Sequence, residues 1–207
     1  MVQIPVNLAV EDQLSEAVLR KILHYSKRPY VVGTCYNRGG FGYLKKTIAG
    51  FNNAAKGTPF IVLTDLDAAE CPPSLIRDWL PRRKHPNLVF RVAVREVESW
   101  LLADGNGLSK YLLIRKELIP QDVDTLSDPK QTLVNLARKS RYREIKNAIV
   151  PRMYSTAKQG PDYNGKLLPF VSNNWNVTNA MKNSISLKKA VESLIAFQPI
   201  YRKGNVN

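Results

Sequence analysis

Asp65 and Asp67 close the run PFIVLTDLD (59–67), two carboxylates two positions apart where an apolar stretch ends. Asp is disfavoured in strands and costly to bury, so a pair at this point asks for a compensating charge. Glu11 follows the apolar run VNLAV (6–10), and Glu96 and Glu98 follow NLVFRVAV (87–94). If these runs are neighbouring strands, their carboxylates share one rim, where they would repel and raise one another's pKa values unless a cation sat among them. Mg²⁺ or Mn²⁺ suits such a rim, because hard divalent ions take oxygen ligands and Mg²⁺ needs only one or two carboxylates besides waters and phosphate oxygens. An ion held there could activate water and stabilise charge developing on a phosphodiester. A strand's period of two puts Asp65 and Asp67 on one side and Leu66 on the other.

Each acid also has a local reading. Glu11, Asp12 and Glu16 lie in or near the first turn of a helical pattern, where the macrodipole favours negative charge, and Asp12 reads best as an N-cap. Asp65 and Asp67 could serve as loop or cap residues, and Glu96 and Glu98 as first-turn acids. Their joint placement at one sheet edge favours the metal reading, since independent caps need not fall together.

The elements that must position these residues alternate. VNLAV is a strand, and EDQLSEAVLRKILHYS carries Leu14, Val18, Ile22 and Tyr25 at helical spacing. YVVGTCY (30–36) is a strand, and YLKKTIAGFNNAA places Leu44, Ile48, Phe51 and Ala55 on one helical stripe. PFIVLTDLD fits a central parallel strand, PPSLIRDWLP a short helix, NLVFRVAV a fourth strand and REVESWLLAD a further helix. The fold class expected is therefore α/β, a mostly parallel Rossmann-like sheet flanked by helices over residues 1–105. Residues 106–207 read as a basic, mainly helical subdomain packed on it, with a tail, QPIYRKGNVN, expected to fray.

The net charge of +14 favours a polyanionic partner, nucleic acid ahead of membrane. Residues 1–105 carry 14 Lys and Arg against 10 Asp and Glu, and residues 106–207 carry 17 against 7, so the bases gather late. Two cysteines, Cys35 and Cys71, make neither a disulfide framework nor a zinc pattern, and two histidines, His24 and His85, leave little material for a triad. Chemistry would have to rest on carboxylates. With no apolar run long enough to span a bilayer and no secretory leader at the start, a cytoplasmic protein without membrane contact is expected. Candidate backbone contacts are Arg38, Lys45 and Lys46 in NRGGFGYLKK, Arg82, Arg83 and Lys84, and Arg138, Lys139, Arg141 and Arg143, with Tyr142 available for stacking. The glycines at 39–42 read either as a tight turn or as a phosphate-approach loop. Lys158, Tyr163, Lys166 and Trp175 could line a groove, or Tyr163 and Trp175 could simply pack.

The order of these motifs resembles a TOPRIM-type domain, the fold shared by topoisomerases, primases and the overcoming-lysogenization-defect nucleases. The resemblance rests on VEDQLSE, LTDLD and REVESWLLAD. It implies that Glu11, Asp65 and Asp67 are metal ligands or general base, with Glu96 and Glu98 assisting and Glu98 joining the catalytic set. LTDLDAAEC, VAVREVESWLLAD, DPKQTL, GPDYN and SLKKAVESL together are similar to small stand-alone TOPRIM-related proteins of bacteria and phages. Such proteins are often encoded beside an ATPase and implicated in defence against phage and mobile DNA. A metal-dependent nuclease is the function this implies, with a catalytically weak nucleic-acid-binding subunit of an ATPase-linked complex as the alternative and a plain nucleic-acid-binding scaffold as a third reading. Partners expected are nucleic acid, an ATPase subunit and a second copy of the chain. Asp12 stands where such families usually carry Gly.

Overall fold

Buried strands alternate with amphipathic helices through the first half of the chain in the computed structural model, which describes residues 2–37 and 39–201. Ile4–Val10 (β1) leads into Gln13–Tyr25 (α1), Tyr30–Tyr36 (β2) into Gly40–Ala54 (α2), and Phe60–Asp65 (β3) into Pro72–Trp79 (α3). Leu88–Ala93 (β4) completes a four-stranded parallel sheet in the order β2-β1-β3-β4. The α/β class and the parallel sheet are as the alternation implied.

Sequence explains each local choice. β3 is buried from Phe60 to Leu63, as a central strand covered on both faces must be. β2 lies at an edge and is correspondingly half-exposed. Its register on β1 slips between Val6 and Leu8, and Asn7 fills the irregularity by accepting the Thr34 amide through Oδ1 at 2.9 Å. α1 starts at its expected cap, since Asp12 Oδ1 accepts the Ser15 amide at 2.8 Å. Leu14, Val18 and Ile22 form its buried stripe. α2 starts at Gly40 rather than Tyr43, with Gly39 in the left-handed region at φ 99° providing the entry. Pro72 and Pro73 open α3, where an amide is unsatisfied in any case.

The chain divides into two compact units. One comprises Met1–Thr64, Ala69–Val92 and Ala190–Asn207, and the other Asp65–Ala68 with Ala93–Lys189. The division is interleaved, so the boundary expected after Gly105 falls inside the second unit. In the first unit the core includes Leu8, Ile22, Leu44, Ile48 and Ile61, and the rings of Phe51 and Phe60 stack at 5.2 Å. Truncating one such buried side chain to Ala typically costs about 2–5 kcal/mol. The tail is not all frayed. Buried Asn87 donates to the Ile200 carbonyl at 2.8 Å and accepts its amide at 2.7 Å, tying the chain down near Tyr201. Residues 202–207 lie outside the described residues.

The second unit is helical. Val97–Ala103 (α4) is buried on every side and packs against Pro129–Arg138 (α6) and Val177–Asn183 (α9). Gly105–Leu112 (α5), Arg143–Ile149 (α7) and Tyr163–Pro169 (α8) complete the unit with the start of Ile185–Ala196 (α10). Trp100 donates through Nε1 to Ser186 at 2.6 Å, and Trp175 donates to the Trp100 carbonyl at 3.0 Å. Gly160 lies so close to the Ala148 carbonyl that no Cβ could stand there. That close approach explains the glycine of GPDYN.

Candidate functional site

In the first unit, β1 and β3 run parallel with Val10 opposite Leu63. Glu11 and Thr64 are the next residues of the two chains. The buried Thr64 hydroxyl donates a short hydrogen bond to Glu11 Oε1, fixing that carboxylate at the carboxyl end of the sheet. Glu16, one turn into α1, accepts from Arg20 Nε at 2.8 Å and from Asn37 Nδ2 at 2.6 Å. Burial pushes its carboxyl up, but hydrogen bonds from Arg20, Asn37 and Cys35 outweigh burial and leave its pKa below the ordinary value. The Cys35 thiol is pushed up to about 12 by burial and by the Glu16 carboxylate beside it. Cys35 is therefore no nucleophile at neutral pH.

In the second unit, Asp65 Oδ1 accepts the Val97 amide at 2.9 Å and so caps α4. β3 ends at Asp65, and the strand alternation expected to carry Asp67 stops there. Asp67 is in the left-handed region at φ 48°, as is Arg95 at φ 61°. The Asp67 amide donates to the Arg95 carbonyl at 2.9 Å, and Arg95 Nη1 donates to the Asp67 carbonyl at 2.9 Å. The two backbones thus hold one another in a conformation that Asp tolerates and Arg rarely adopts. The Asp67 carboxylate is exposed, with no hydrogen bond or ion pair to any described residue.

Glu96 and Glu98 are both engaged by α6. Glu96 Oε2 accepts the Lys130 amide at 2.8 Å, capping α6 from outside. Glu98, only 2% exposed, accepts from the Tyr163 hydroxyl at 2.9 Å and faces the Lys130 ammonium at 3.5 Å, both through Oε1. Its Oε2 is buried without a hydrogen-bond partner. Burial raises the Glu98 pKa to about 7, Lys130 and Tyr163 pull it down, and the Glu96 charge pushes it up. A group titrating near neutrality is able to hold or release a proton at working pH.

Among the described residues no three of His, Cys, Asp and Glu are gathered tightly enough to form a ready-made metal cage. Glu11 and Asp67 each offer carboxylate oxygens, the donor type that hard cations take.

The basic candidates separate into engaged and open groups. Lys45 pairs with Asp78 at 2.8 Å. Lys84 donates to the Leu88 carbonyl at 2.7 Å, and burial followed by the nearby Arg91 charge lowers its pKa. Lys166 lies 3.8 Å from exposed Glu144. Lys46, Arg82, Arg83, Arg138, Lys139, Arg141, Arg143 and Lys158 are exposed, as is Tyr142. Lys139 and Arg141 line a cavity of about 510 Å³ with Lys110 and Arg115. Arg38 lies outside the described residues. Of the two readings of Tyr163 and Trp175, packing is the one their burial supports, 3% and 2% exposed, because each spends its polar atom inside the second unit.

Thr64, Lys130 and Arg95 do work that the sequence did not single out. Thr64 stands one residue before Asp65 and Lys130 inside DPKQTL, so position alone could have drawn attention to them. The left-handed backbone of Arg95 leaves no mark in the residue type. No protein-family model, curated protein or solved structure matches this chain. Among the described residues no helix is long and apolar enough to cross a membrane.

Proposed function

We propose that the chain is a metal-dependent nuclease acting on phosphodiester bonds of nucleic acid, with Glu11, Asp65 and Asp67 as the oxygen ligands of Mg²⁺ or Mn²⁺. The observation that carries this reading is the placement of carboxylates at the carboxyl ends of parallel strands, Glu11 after β1 and Asp65 at the end of β3. When bound, the ion would supply Lewis acidity toward a phosphate oxygen and lower the pKa of attacking water. Thr64 would orient Glu11. Glu98, near neutrality and buried with Lys130 and Tyr163, would keep the segment after β4 in place and hold or give up one proton. The excess of bases would draw the polyanion and neutralise its backbone.

A second reading, a catalytically weak nucleic-acid-binding subunit of an ATPase-linked complex, is favoured by one observation. Asp65 and Glu96 each already cap a helix, so architecture alone accounts for part of their chemistry. Cleavage assays separate the two. The nuclease reading expects Mg²⁺- or Mn²⁺-dependent cleavage of DNA or RNA that EDTA abolishes, and a loss of at least about 100-fold in Glu11→Gln and in Asp67→Asn without a change in melting. Asp67→Asn is the cleaner variant because its exposed side chain makes no hydrogen bond or ion pair with any described residue. Full cleavage by both variants would overturn the ligand assignment, and cleavage that appears only with an added ATPase would favour the subunit reading.

A further inference from the structure

The first unit carries a cavity of about 1000 Å³ that the carboxylates do not touch. Its walls come from the second half of α2 and from the loop 80–86 after α3. Lys56, Arg82 and Arg83 line it, all exposed and none paired with an acid, and no acidic residue lines it among the described residues. Ala49, Leu80, Pro81 and Pro86 supply its apolar lining, beside the polar side chains of Asn52, Asn53 and His85.

The loop is tied in place rather than free. Asn52 accepts the His85 amide at 2.7 Å and donates to the Arg83 carbonyl at 3.2 Å, binding the loop to α2. Lys84 is turned to the Leu88 carbonyl and takes no part. What results is a preformed concavity lined by cations and by an apolar floor that includes Pro81 and Pro86, of the size typical of small-ligand sites.

A duplex offers phosphates on a convex exterior and hides its base faces, so it would leave that floor unused. A single strand offers both an anionic phosphate and an apolar base face from each nucleotide. We propose that this cavity is a subsite for one nucleotide of a single strand, its phosphate at Lys56, Arg82 and Arg83 and its base against Pro81 and Pro86. The inference rests on the nuclease reading only for the choice of nucleic acid as the polyanion.

Binding is read by fluorescence anisotropy in EDTA, so failure of cleavage leaves the measurement intact. The probes are a labelled oligo-dT, a duplex of equal length and an abasic strand of equal length. Oligo-dT is expected to bind at least about tenfold more tightly than either of the others. Arg82→Glu/Arg83→Glu should lose about tenfold in oligo-dT affinity, and its slope of log K against log salt should fall by about 1.4 at unchanged melting temperature. Lys56→Ala, with an expected loss of about threefold, carries the test if the double variant melts early. Wild-type affinity for oligo-dT in both variants would overturn the proposal. So would equal binding of all three probes, which would mark a cation patch without a base site. Loss of phosphatidylserine-vesicle binding with oligo-dT binding intact would assign the cations to a lipid surface instead.

Discussion

Glu16 and Glu98 are both shielded carboxylates in the first turn of a helix, one in each unit, and they end up on opposite sides of the ordinary pKa. Glu16 accepts at both oxygens, from Arg20 and from Asn37, and its pKa is lowered. Glu98 accepts at one oxygen only, its cation is 3.5 Å away, and its pKa rises to about 7. Enclosure alone does not decide the charge state. The count of donors against the depth of burial does, and it separates Glu16, kept as an anion, from Glu98, which shares its proton with the fold.

The largest effect should come from removing that proton dependence. Glu98 has a folded-state pKa of about 7 against an ordinary value of 4.5, so the folded state holds the proton more tightly than the unfolded chain. The resulting stability is fully present below about pH 4.5 and is lost as pH rises through about 7. By pH 8 the ionised carboxylate should cost the fold about 3 kcal/mol relative to the protonated form. Glu98→Gln keeps the shape and removes the charge, so its stability in urea should be nearly flat from pH 5 to pH 8 while the wild type declines. A wild type equally flat over that window would mean that Glu98 is solvated after all, and the contrast with Glu16 would collapse.

Tyr163→Phe sharpens the same contrast by taking away the one hydroxyl that Glu98 accepts. The expected loss is about 1–2 kcal/mol at pH 8, where the carboxylate needs a donor, and less at pH 5, where it is protonated. In the Glu98→Gln background the pH dependence of that loss should vanish. Denaturation of the four proteins at two pH values measures it, and a loss identical at both would assign Tyr163 to packing alone.

Much of the fold was legible because its signals are local. The apolar run 60–63 with acids behind it marks a central strand, and the stripe Leu14, Val18, Ile22 marks α1. Asp12 was legible as a cap for the same reason, its acceptor lying three residues from the amide it holds. The site was less legible because its decisive contacts are long-range. Glu98 meets Tyr163 across 65 residues and Glu96 meets Lys130 across 34, and neither pairing has a periodicity to betray it. The alternation that should have kept Asp67 beside Asp65 ended two residues early, because the left-handed turn shared with Arg95 overrides strand geometry. The interleaved units follow from the same non-locality, since residues 65–68 belong to one unit and the strand before them to the other.

The smallest expected effect tests a local cap against a distant one. α1 and α6 are each capped locally, by Asp12 and Asp128, whereas the first amide of α4 is held by Asp65 from a distant segment and Glu96 adds a second, distant acceptor to α6. A local cap can be replaced without disturbing another element, so Asp12→Ala should lower stability by about 1 kcal/mol and Asp12→Gly by only a few tenths, about 0.3 kcal/mol. On the nuclease reading, if Asp12 is a cap and nothing more, cleavage by Asp12→Gly should stay within about twofold of the wild type. A gain of tenfold or more at unchanged stability would show instead that the second carboxylate, one residue from Glu11, restrains the site, and the acids of the first unit would then be dividing their work between architecture and chemistry much as those of the second unit do.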